Sequence, residues 1–532
     1  MATRALLLLL LFVPRSDPVV EAVLREAREG SRVMEHLDHL TNRIGPRLTS
    51  STRLTQACEW TRSEFEKWGL KARLEEWGTF PVGFDRGPWS ARMTEPEELE
   101  LSVGTNAWMP GTDGPVKGHA VLAPATDDEL VKAKPSLKGA WVVSSARGPE
   151  KYQVAYDECG IAGIVRSAPR ELIVTGGRSS IRWDDLPRRV VVTMAASQHQ
   201  KIVGYLKEGK RVSLTIDLRN TFVQGPIKLY NVIADLSGTE KPDEVVVVGG
   251  HIDSWDGAAG ATDNGTGVST TLEAARLLAK AGAKPKRTIR FMLWSGEEQG
   301  LLGSRAWIRA NPGELKRISA VLVHDGGTNY VSGIKATEAM APLFEKVFAP
   351  VMNLDPELKF RINRVKGLPR GIGSDHDAFL AAGVPGFFWE QSRTASKGQT
   401  YSHEHHTQND VYSAAIPEFQ RHSSMVIAIA AWGIANLETL LPRDSLTAAG
   451  TSGERRVLGV QCEDDLSILE ISPGSPAEKA GLKPGDRILR ISGQPLADLA
   501  RLREEIQKSP LQTKVVVLRE GKELELPVTF PK

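Results

Sequence analysis

The 532-residue chain is predicted to fold as an α/β protein built around a mainly parallel central sheet flanked by helices. Between residues 226 and 440, strand-like apolar runs alternate with helical segments, which is typical of such a sheet. The length is the second observation, because one hydrophobic core rarely organises more than about 250–300 residues. The third is a polar segment rich in Gly, Ser and Thr at residues 441–453, which predicts a linker before a separate C-terminal unit.

The individual elements of the central region follow from length and periodicity. The clearest predicted strands are Val245–Val248, Thr288–Trp294, Ala320–Val323 and Val384–Trp389. Helical spacing predicts helices over Gly267–Ala281, Gln299–Ala310 and Ile416–Leu440. Ligands of open α/β sheets bind at the carboxyl ends of the strands, so chemistry is expected where these strands end.

The rest of the chain divides into smaller units. Residues 21–114 form a lead into the main domain, with a helix predicted over Thr55–Trp68. Residues 115–220 mix short apolar strands with helical segments, which indicates a small inserted α/β domain. Residues 221–440 are the main domain, and residues 454–532 are the C-terminal unit.

The bulk composition narrows the function classes. Lys+Arg (67) nearly balance Asp+Glu (65), and the net charge of +2 indicates no nucleic-acid or membrane-surface partner. Met1–Val13 has the basic start and short apolar run of a secretory signal, so residues 1–20 are expected to direct export to a periplasmic or secreted location. Because no small-x-small cleavage site follows, a frayed apolar N-terminus is the alternative.

Cysteine usage restricts the chemistry of any metal site. The chain has three cysteines, Cys58, Cys159 and Cys462, which lie in different predicted units and form no C-x-x-C spacing. This pattern implies neither a disulfide framework nor a thiolate site. A bound metal would therefore need histidine and carboxylate ligands.

Such ligands follow the valine-rich strand. His251 stands at the expected strand end, and Asp263 opens the next helix after a glycine-rich stretch that folds freely enough for both to reach one cation. Asp253 lies on the same face of an extended chain as His251. Its carboxylate could accept the second imidazole N–H and fix the tautomer.

Further acidic and histidine side chains follow the later strands. Glu297 and Glu298 come after the strand Thr288–Trp294, and such a pair can supply one metal ligand and one free base for water. Asp325 follows the third strand, and one imidazole of the run His403–His406 can complete a second metal. Alone, each is as readily a packed histidine or a solvated helix-start charge. Their placement after successive segments of one domain favours a two-metal hydrolytic site.

These segments resemble the di-zinc aminopeptidase and glutamate carboxypeptidase family, most closely its carboxypeptidase Q-type branch. The matching motifs are His-x-Asp-Ser-Trp-Asp, Gly-Ala-Thr-Asp-Asn-Gly-Thr-Gly, Ser-Gly-Glu-Glu-Gln-Gly-Leu-Leu-Gly-Ser, His-Asp-Gly-Gly-Thr, Gly-Ser-Asp-His and the closing His406-Thr. The lead motif Ile44-Gly-Pro-Arg-Leu-Thr also fits, so the likeness extends over residues 30–440. The resemblance implies a zinc-exopeptidase fold of the phosphorylase/hydrolase-like kind.

The resemblance also implies roles for individual residues. His251 and Asp325 would hold one zinc, Glu298 and His406 the other, and Asp263 would bridge them. Glu297 would be the catalytic base, and His405 is the reserve for His406. Asp375 and His376 would line the substrate site, where His376 would donate to the oxyanion, although Asp377-Ala-Phe replaces a segment in which relatives often carry a proline. The insert resembles a protease-associated domain.

The C-terminal unit resembles a bacterial-type PDZ domain, a small β-sandwich or barrel. The motifs are Leu458-Gly459-Val460, the segment from Ser472 to Asp486 and Leu518-Arg-Glu-Gly-Lys522. Such a domain accepts an extended peptide as an added strand, and backbone amides near Leu458-Gly459-Val460 would receive a terminal carboxylate. The alternative is a groove filled by the protein's own chain.

Together the motifs predict a two-zinc exopeptidase that acts near a free peptide terminus, as an aminopeptidase or as a dipeptidase or carboxypeptidase. Cobalt or manganese could replace zinc at such ligands. Two alternatives are a non-catalytic peptide-binding protein on a peptidase scaffold and a glutaminyl cyclase-like acyl transferase. The complete set of five ligands and one base argues against both.

Overall fold

The structure is a computed structural model that describes residues 17–144, 151–352, 354–444, 446–447, 456–462, 466–471, 475–496 and 499–530. Most of the expected signal segment, much of the expected linker and Ser472–Gly474 of the PDZ-like motif lie outside these residues. Residues 17–20 belong to the folded unit, because Asp17 caps the first helix and Val20 is buried in the core.

The chain forms helices and strands in alternation through most of its length. The helices are α1 (Pro18–Glu29), α2 (Val33–Asp38), α3 (Thr52–Lys67), α4 (Asp127–Leu137), α5 (Gln153–Cys159), α6 (Ala196–Lys207), α7 (Thr266–Lys280), α8 (Leu302–Ala310), α9 (Ala341–Phe348), α10 (His376–Ala381), α11 (Pro417–Ala435), α12 (Pro476–Lys479) and α13 (Leu499–Lys508). The strands are β1 (Lys71–Glu95), β2 (Leu99–Glu100), β3 (Val103–Gly104), β4 (Val116–Leu122), β5 (Trp141–Ser144), β6 (Gly163–Ser167), β7 (Val191–Met194), β8 (Ser213–Leu236), β9 (Lys241–His251), β10 (Arg287–Trp294), β11 (Ile318–Val323), β12 (Tyr330–Thr337), β13 (Arg361–Val365), β14 (Gly386–Phe388), β15 (Glu390–Ser392), β16 (Val460–Cys462), β17 (Ile468–Ile471), β18 (Arg487–Ile491), β19 (Gln494–Pro495), β20 (Gln512–Arg519) and β21 (Lys522–Thr529).

A large sheet organises the main domain, with strands in the order β14-β11-β9-β10-β8 at one end. The pairs β14 to β11, β11 to β9 and β9 to β10 are parallel, whereas β10 to β8 is antiparallel. The predicted α/β class with a mainly parallel central sheet is therefore confirmed. Its helices cover the strands in one large core, to which α7 and α11 contribute most of their length.

The insert is connected to the main domain by a long two-stranded ribbon made by β1 and β8. These strands pair antiparallel from Lys71↔Asp235 to Glu95↔Ser213. One end of β8 pairs with β10 of the main domain, and the other end pairs with β4 of the insert. From β4 the sheet continues through β5, β6 and β7 to β3 around its own hydrophobic cluster. The boundary expected at residue 220 falls inside β8.

Two predicted helices have different ends in the structure. Helix α8 begins at Leu302 instead of Gln299, because Gly300 and Leu301 adopt positive φ values of 109° and 60°. Helix α11 ends at Ala435 instead of Leu440. The Arg287 guanidinium donates to the carbonyl oxygens of Leu437 and Glu438, so these groups bond outside a helix.

The C-terminal unit has a core of its own, formed by residues between Leu458 and Phe530. Its four-stranded antiparallel sheet has the order β19-β18-β20-β21, and β16 pairs with β17 separately. Across the described part of the chain, no helix has both the length and the apolar character that a membrane span requires.

Candidate metal centre

Parallel strand ends bring the candidate residues to one edge of the central sheet. His251 is the last residue of β9, Glu297 follows β10 by three residues, and Asp325 follows β11 by two. Because β9 lies between β10 and β11 with parallel pairing on both sides, these ends meet. Asp263 lies in the turn before α7, with non-helical φ and ψ values of −122° and 89°, and His406 lies in the loop that precedes α11.

Two carboxylates lie against the ring of the buried His251 and form a cluster with it. Its Nε2 atom lies 3.2 Å from Asp263 Oδ1 and 3.3 Å from Asp325 Oδ1. Its Nδ1 atom is 3.0 Å from the backbone carbonyl oxygen of Asp253, so the Nδ1–H group donates to that oxygen and Nε2 faces the two carboxylates. Nε2 and the two carboxylates need a cation or a proton between them.

A second cluster shares Asp263 with the first. His406 Nε2 lies 3.3 Å from Asp263 Oδ2 and 3.1 Å from Glu298 Oε2. His405 Nε2 is farther from Asp263 Oδ2, at 3.7 Å, and its ring stacks on that of His406 at 3.7 Å between centroids. The two oxygens of the Asp263 carboxylate thus face different imidazoles.

The two neighbouring glutamates have different surroundings. Glu298 faces His406 through Oε2, whereas its buried Oε1 has no hydrogen-bond partner among the described residues. Burial, with the nearby Asp263 charge, raises the pKa of Glu298 to about 7. Burial also raises the pKa of Glu297 well above its ordinary value. The Glu297 carboxylate makes no hydrogen bond or ion pair within the described part of the chain.

The donor set of the two clusters suits a divalent metal ion such as zinc. Zinc at 2.0–2.2 Å from tetrahedral ligands places neighbouring ligand atoms about 3.3–3.6 Å apart. The contacts of 3.1 to 3.3 Å in both clusters are close to that spacing. Burial opposes ionisation of Asp263, yet its hydrogen bonds with His251 and His406 outweigh burial and lower its pKa, so the shared group is a carboxylate. The unpartnered Oε1 of Glu298 is a further oxygen available to a metal.

Comparison with known proteins shows which families two parts of the chain resemble. The family model described as peptidase family M28 matches residues 231–430, and a PDZ domain model matches residues 467–519. Residues 231–430 form a peptidase family M28 domain.

Similarity extends well beyond the M28 domain itself. Carboxypeptidase Q of Mus musculus is 27% identical over 458 residues, which cover 80% of this chain and 91% of that protein. An aminopeptidase of Pseudomonas aeruginosa is 29% identical over 258 residues, or 45% of this chain and 47% of that one. The crystal structure of a peptidase M28 precursor from Shewanella amazonensis is 26% identical, has a TM-score of 0.56 and covers 80% of this chain and 97% of its own.

Asp253 holds the backbone of two other candidate residues, a role that the sequence did not predict. The expected contact between its carboxylate and the His251 ring is long, at 3.7 Å, since the backbone carbonyl oxygen of Asp253 accepts the hydrogen bond from the imidazole N–H. The carboxylate instead accepts the backbone amides of Glu297 and Glu298, each at 3.2 Å, and the Thr49 hydroxyl at 3.0 Å. It therefore holds the turn that carries both glutamates.

Arg47, whose motif was noted without a role, is fully buried beside the loop between His251 and Asp263. Its guanidinium donates to the carbonyl oxygens of Ile252, Ala259 and Gly260 at 2.8, 3.0 and 2.7 Å. Burial lowers the pKa of Arg47 to about 10, which leaves it charged at neutral pH. The arginine thus fixes the course of the glycine-rich loop.

Asp410, whose role was also missed, joins the loop that carries His406 to the segment that carries Asp263. Its Oδ1 atom accepts the amide and hydroxyl of Thr262 at 2.5 and 2.9 Å, and Oδ2 accepts the amide of Asp263 at 3.3 Å. The loop that carries His406 is therefore tied directly to the segment that carries the shared carboxylate. In the sequence, the only indication of this contact was that Asp410 lies four residues after His406.

The remaining predicted residues lie beside the clusters or in the other unit. Asp375 is fully buried, and burial raises its pKa to about 7, while burial lowers the pKa of the equally buried His376. Neither contacts the metal-ligand candidates directly through a hydrogen bond. In the PDZ domain, Leu458 is buried, Gly459 has a φ of 80°, and the carbonyl of Leu458 accepts the Ala477 amide.

Proposed function

We propose that the protein is a zinc-dependent exopeptidase that hydrolyses peptide bonds near a free terminus. His251 and Asp325 would hold one zinc, Glu298 and His406 the other, and Asp263 would bridge them. The observation that carries the proposal is the Asp263 carboxylate, whose two oxygens each lie 3.2 to 3.3 Å from a different imidazole nitrogen.

Bound zinc ions would lower the pKa of water and polarise the scissile carbonyl. Glu297 would take the proton from the attacking water and return it to the leaving amine as the peptide C–N bond breaks. Its burial and its lack of a salt bridge to any described residue suit a base that must hold and release a proton. His376, kept neutral by burial, would donate to the oxygen of the tetrahedral intermediate.

Replacement of each glutamate by glutamine tests these assignments. Glu297→Gln keeps the size of the base and should retain two zinc ions per chain, yet lose about 100-fold or more of the activity. The same exchange at the next residue, Glu298→Gln, should lose zinc. Metal analysis and an exopeptidase panel that includes dipeptides, amino-terminal substrates and carboxy-terminal substrates measure both effects. Full activity of Glu297→Gln would rule out the base, and a wild-type protein that binds no metal would rule out the mechanism.

We infer a separate role for the PDZ domain, which would bind peptide termini at Leu458, Gly459 and Val460 and present peptides to the M28 domain. Export of the protein is proposed on the sequence of residues 1–20 alone. A fluorescent peptide with a free C-terminus should bind the full chain, and its C-terminal amide should bind at least about tenfold more weakly. Equal binding of both peptides would contradict carboxylate recognition.

A further inference from the structure

A segment of the insert, residues 170–177, crosses to the loop that carries His406. We call residues 170–177 the strap and residues 403–410 the ligand loop. The strap follows β6 of the insert, yet Val174 forms an antiparallel bridge with Thr407 of the ligand loop. The insert therefore reaches the part of the chain that is proposed to hold the second zinc.

The strap holds the backbone of His406 itself. The amide of Thr175 donates to the His406 carbonyl oxygen at 2.8 Å. His406 has a φ of 57°, in the left-handed region that non-glycine residues rarely adopt without support from their surroundings. From this conformation the His406 ring reaches Asp263 and Glu298, so a bond to its carbonyl oxygen bears on the position of the ring.

Gln408 joins the strap and the ligand loop through both ends of its amide group. Its Oε1 atom accepts the Ile173 amide at 2.8 Å, and its Nε2 atom donates to the Glu171 carbonyl oxygen at 3.3 Å. Both partners are backbone groups of the strap. The side chain thus spans two neighbouring peptide units and fixes their register against the ligand loop.

The strap is anchored at both of its own ends. The Glu171 carboxylate accepts the amide and hydroxyl of Ser197, at 2.9 and 2.8 Å, at the beginning of insert helix α6. At the other end, the amide of Ala107 donates to the Gly176 carbonyl oxygen at 2.8 Å. A segment held in this way transmits the position of the insert to the ligand loop.

Close packing adds a steric contact to these hydrogen bonds. A Cβ atom at Gly257 would lie 2.0 Å from the Thr175 hydroxyl oxygen, so the strap also rests against the loop between His251 and Asp263. Trp255 in that loop packs edge-on against the His406 ring at 6.0 Å and against Trp108 at 6.1 Å. The strap therefore contacts the loop whose Trp255 packs against the His406 ring.

We propose that the strap positions His406, with Gln408 as the positioning residue, so that the insert sets the retention of the second zinc. This rests on the proposed function, since it requires that His406 binds metal. Glu298 and His406 define the half-site that depends on the strap. His251 and Asp325 lie at strand ends of the main domain and do not contact it.

The chain offers a closely matched control for Gln408. Within the insert, Gln198 Oε1 accepts the Ser102 amide at 2.7 Å, and Gln198 Nε2 donates to the Glu100 carbonyl oxygen at 2.9 Å. Both glutamines are half-buried and join two backbone groups two residues apart. Alanine at either position removes an equivalent pair of bonds, but only Gln408 joins the ligand loop to the strap.

The test is the rate at which a chelator removes each zinc from the full-length holoenzyme. In Gln408→Ala, one zinc should leave at least about tenfold faster than in the wild type, and the other should leave at the wild-type rate. Gln408→Glu keeps the acceptor for Ile173 and loses the donor to Glu171, so its effect should be intermediate. Gln198→Ala should release both ions at wild-type rates.

Equal rates in Gln408→Ala and the wild type would overturn the proposal, as would equal acceleration of both ions. A faster release that Gln198→Ala reproduces would also overturn it, since that result reports general loosening of the insert. Unfolding measured on both alanine variants should show equal losses of stability, which separates positioning from folding. Failure of the wild type to bind two zinc ions would instead contradict the proposed function.

Discussion

At the scale of single residues, Asp263 determines how the site is arranged. One carboxylate faces two imidazoles through separate oxygens, and the backbone before it is held by Asp410 while Arg47 fixes the loop that leads to it. Each supporting contact is a hydrogen bond to a buried backbone group. Such bonds place charged side chains within a few tenths of an ångström, as a metal with short, fixed bond lengths requires.

His422 on α11 gives a prediction for the pH dependence of stability. It is buried against Tyr330, and burial lowers its pKa from 6.5 to about 4 in the folded protein. The unfolded chain therefore binds more protons below pH 6.5, and stability is lost as the pH falls from that value toward 4. From about pH 7.5 to pH 5 this one group should account for about 2 kcal/mol of the loss.

Urea unfolding across this pH range measures the effect. His422→Phe fills the same space without a titrating group, so its free energy of unfolding should fall by about 2 kcal/mol less than that of the wild type over the same interval. Identical slopes for the two proteins would show that His422 does not titrate as its burial requires.

At the scale of elements, β9 shows why glycine precedes the first histidine. This strand lies between β10 and β11, and a Cβ atom at Gly249 would lie 2.0 Å from the Met292 carbonyl oxygen and 2.9 Å from the Trp294 ring. A neighbouring backbone cannot move aside cheaply. The close approach brings His251 near the ends of both flanking strands.

Gly249→Ala should therefore destabilise the protein by about 3 kcal/mol, because it overpacks a rigid backbone contact. Gly204→Ala is the matched control, since Gly204 lies in helix α6 with no atom within 4 Å of an added Cβ. There the helix propensity of alanine should raise stability by about 0.5–1 kcal/mol. Urea denaturation of both variants provides the comparison, and equal effects would contradict the packing argument for β9.

The strands and the residues at their ends could be predicted from the sequence because each depends on local pattern. Val245–Val248 lies within β9, and Glu297, Glu298 and Asp325 follow directly from the strands before them. Arg47, Asp410 and Gln408 were not assigned roles because their partners are backbone groups brought close only by the fold. The Arg47 contact with Gly260, for example, spans 213 residues. The periodicity of apolar residues does not predict hydrogen bonds between residues so far apart in the sequence.

The choice between His405 and His406 had a different obstacle. The two histidines are adjacent, and the sequence does not show which imidazole ring turns toward the carboxylates of Asp263 and Glu298. In the structure His406 Nε2 lies 3.1 Å from Glu298 Oε2, and His406 has a positive φ of 57°. Resemblance to the family favours the same residue through the threonine that follows it, and His406 stays the predicted ligand.

At the scale of the whole molecule, the chain combines an M28 domain, an insert on the β1–β8 ribbon and a PDZ domain with its own hydrophobic core. The core residues of the PDZ domain lie between Leu458 and Phe530, and none of them belongs to the core of the main domain. A unit with a separate core can be removed without unpacking its neighbour.

A chain that ends after residue 453 should therefore keep its zinc and hydrolyse a dipeptide within about twofold of the full-length rate. Loss of activity on longer peptides alone would support recruitment by the PDZ domain. Zinc analysis and parallel assays on short and long substrates test this. A truncated protein that binds no zinc would show that the PDZ domain takes part in forming the metal centre.

The proposed sharing of two metal ions by the Asp263 carboxylate is tested most directly by the zinc stoichiometry of Asp263→Ala. The wild type should bind two zinc ions per chain. Because Asp263 contacts both imidazoles, Asp263→Ala should lose both zinc ions. Its loss of zinc affinity should exceed the roughly 10–100-fold loss that is typical when a residue supporting a metal ligand is removed. His406→Ala should keep one ion. Retention of two tightly bound zinc ions by folded Asp263→Ala would contradict the role of Asp263 as a ligand of both ions.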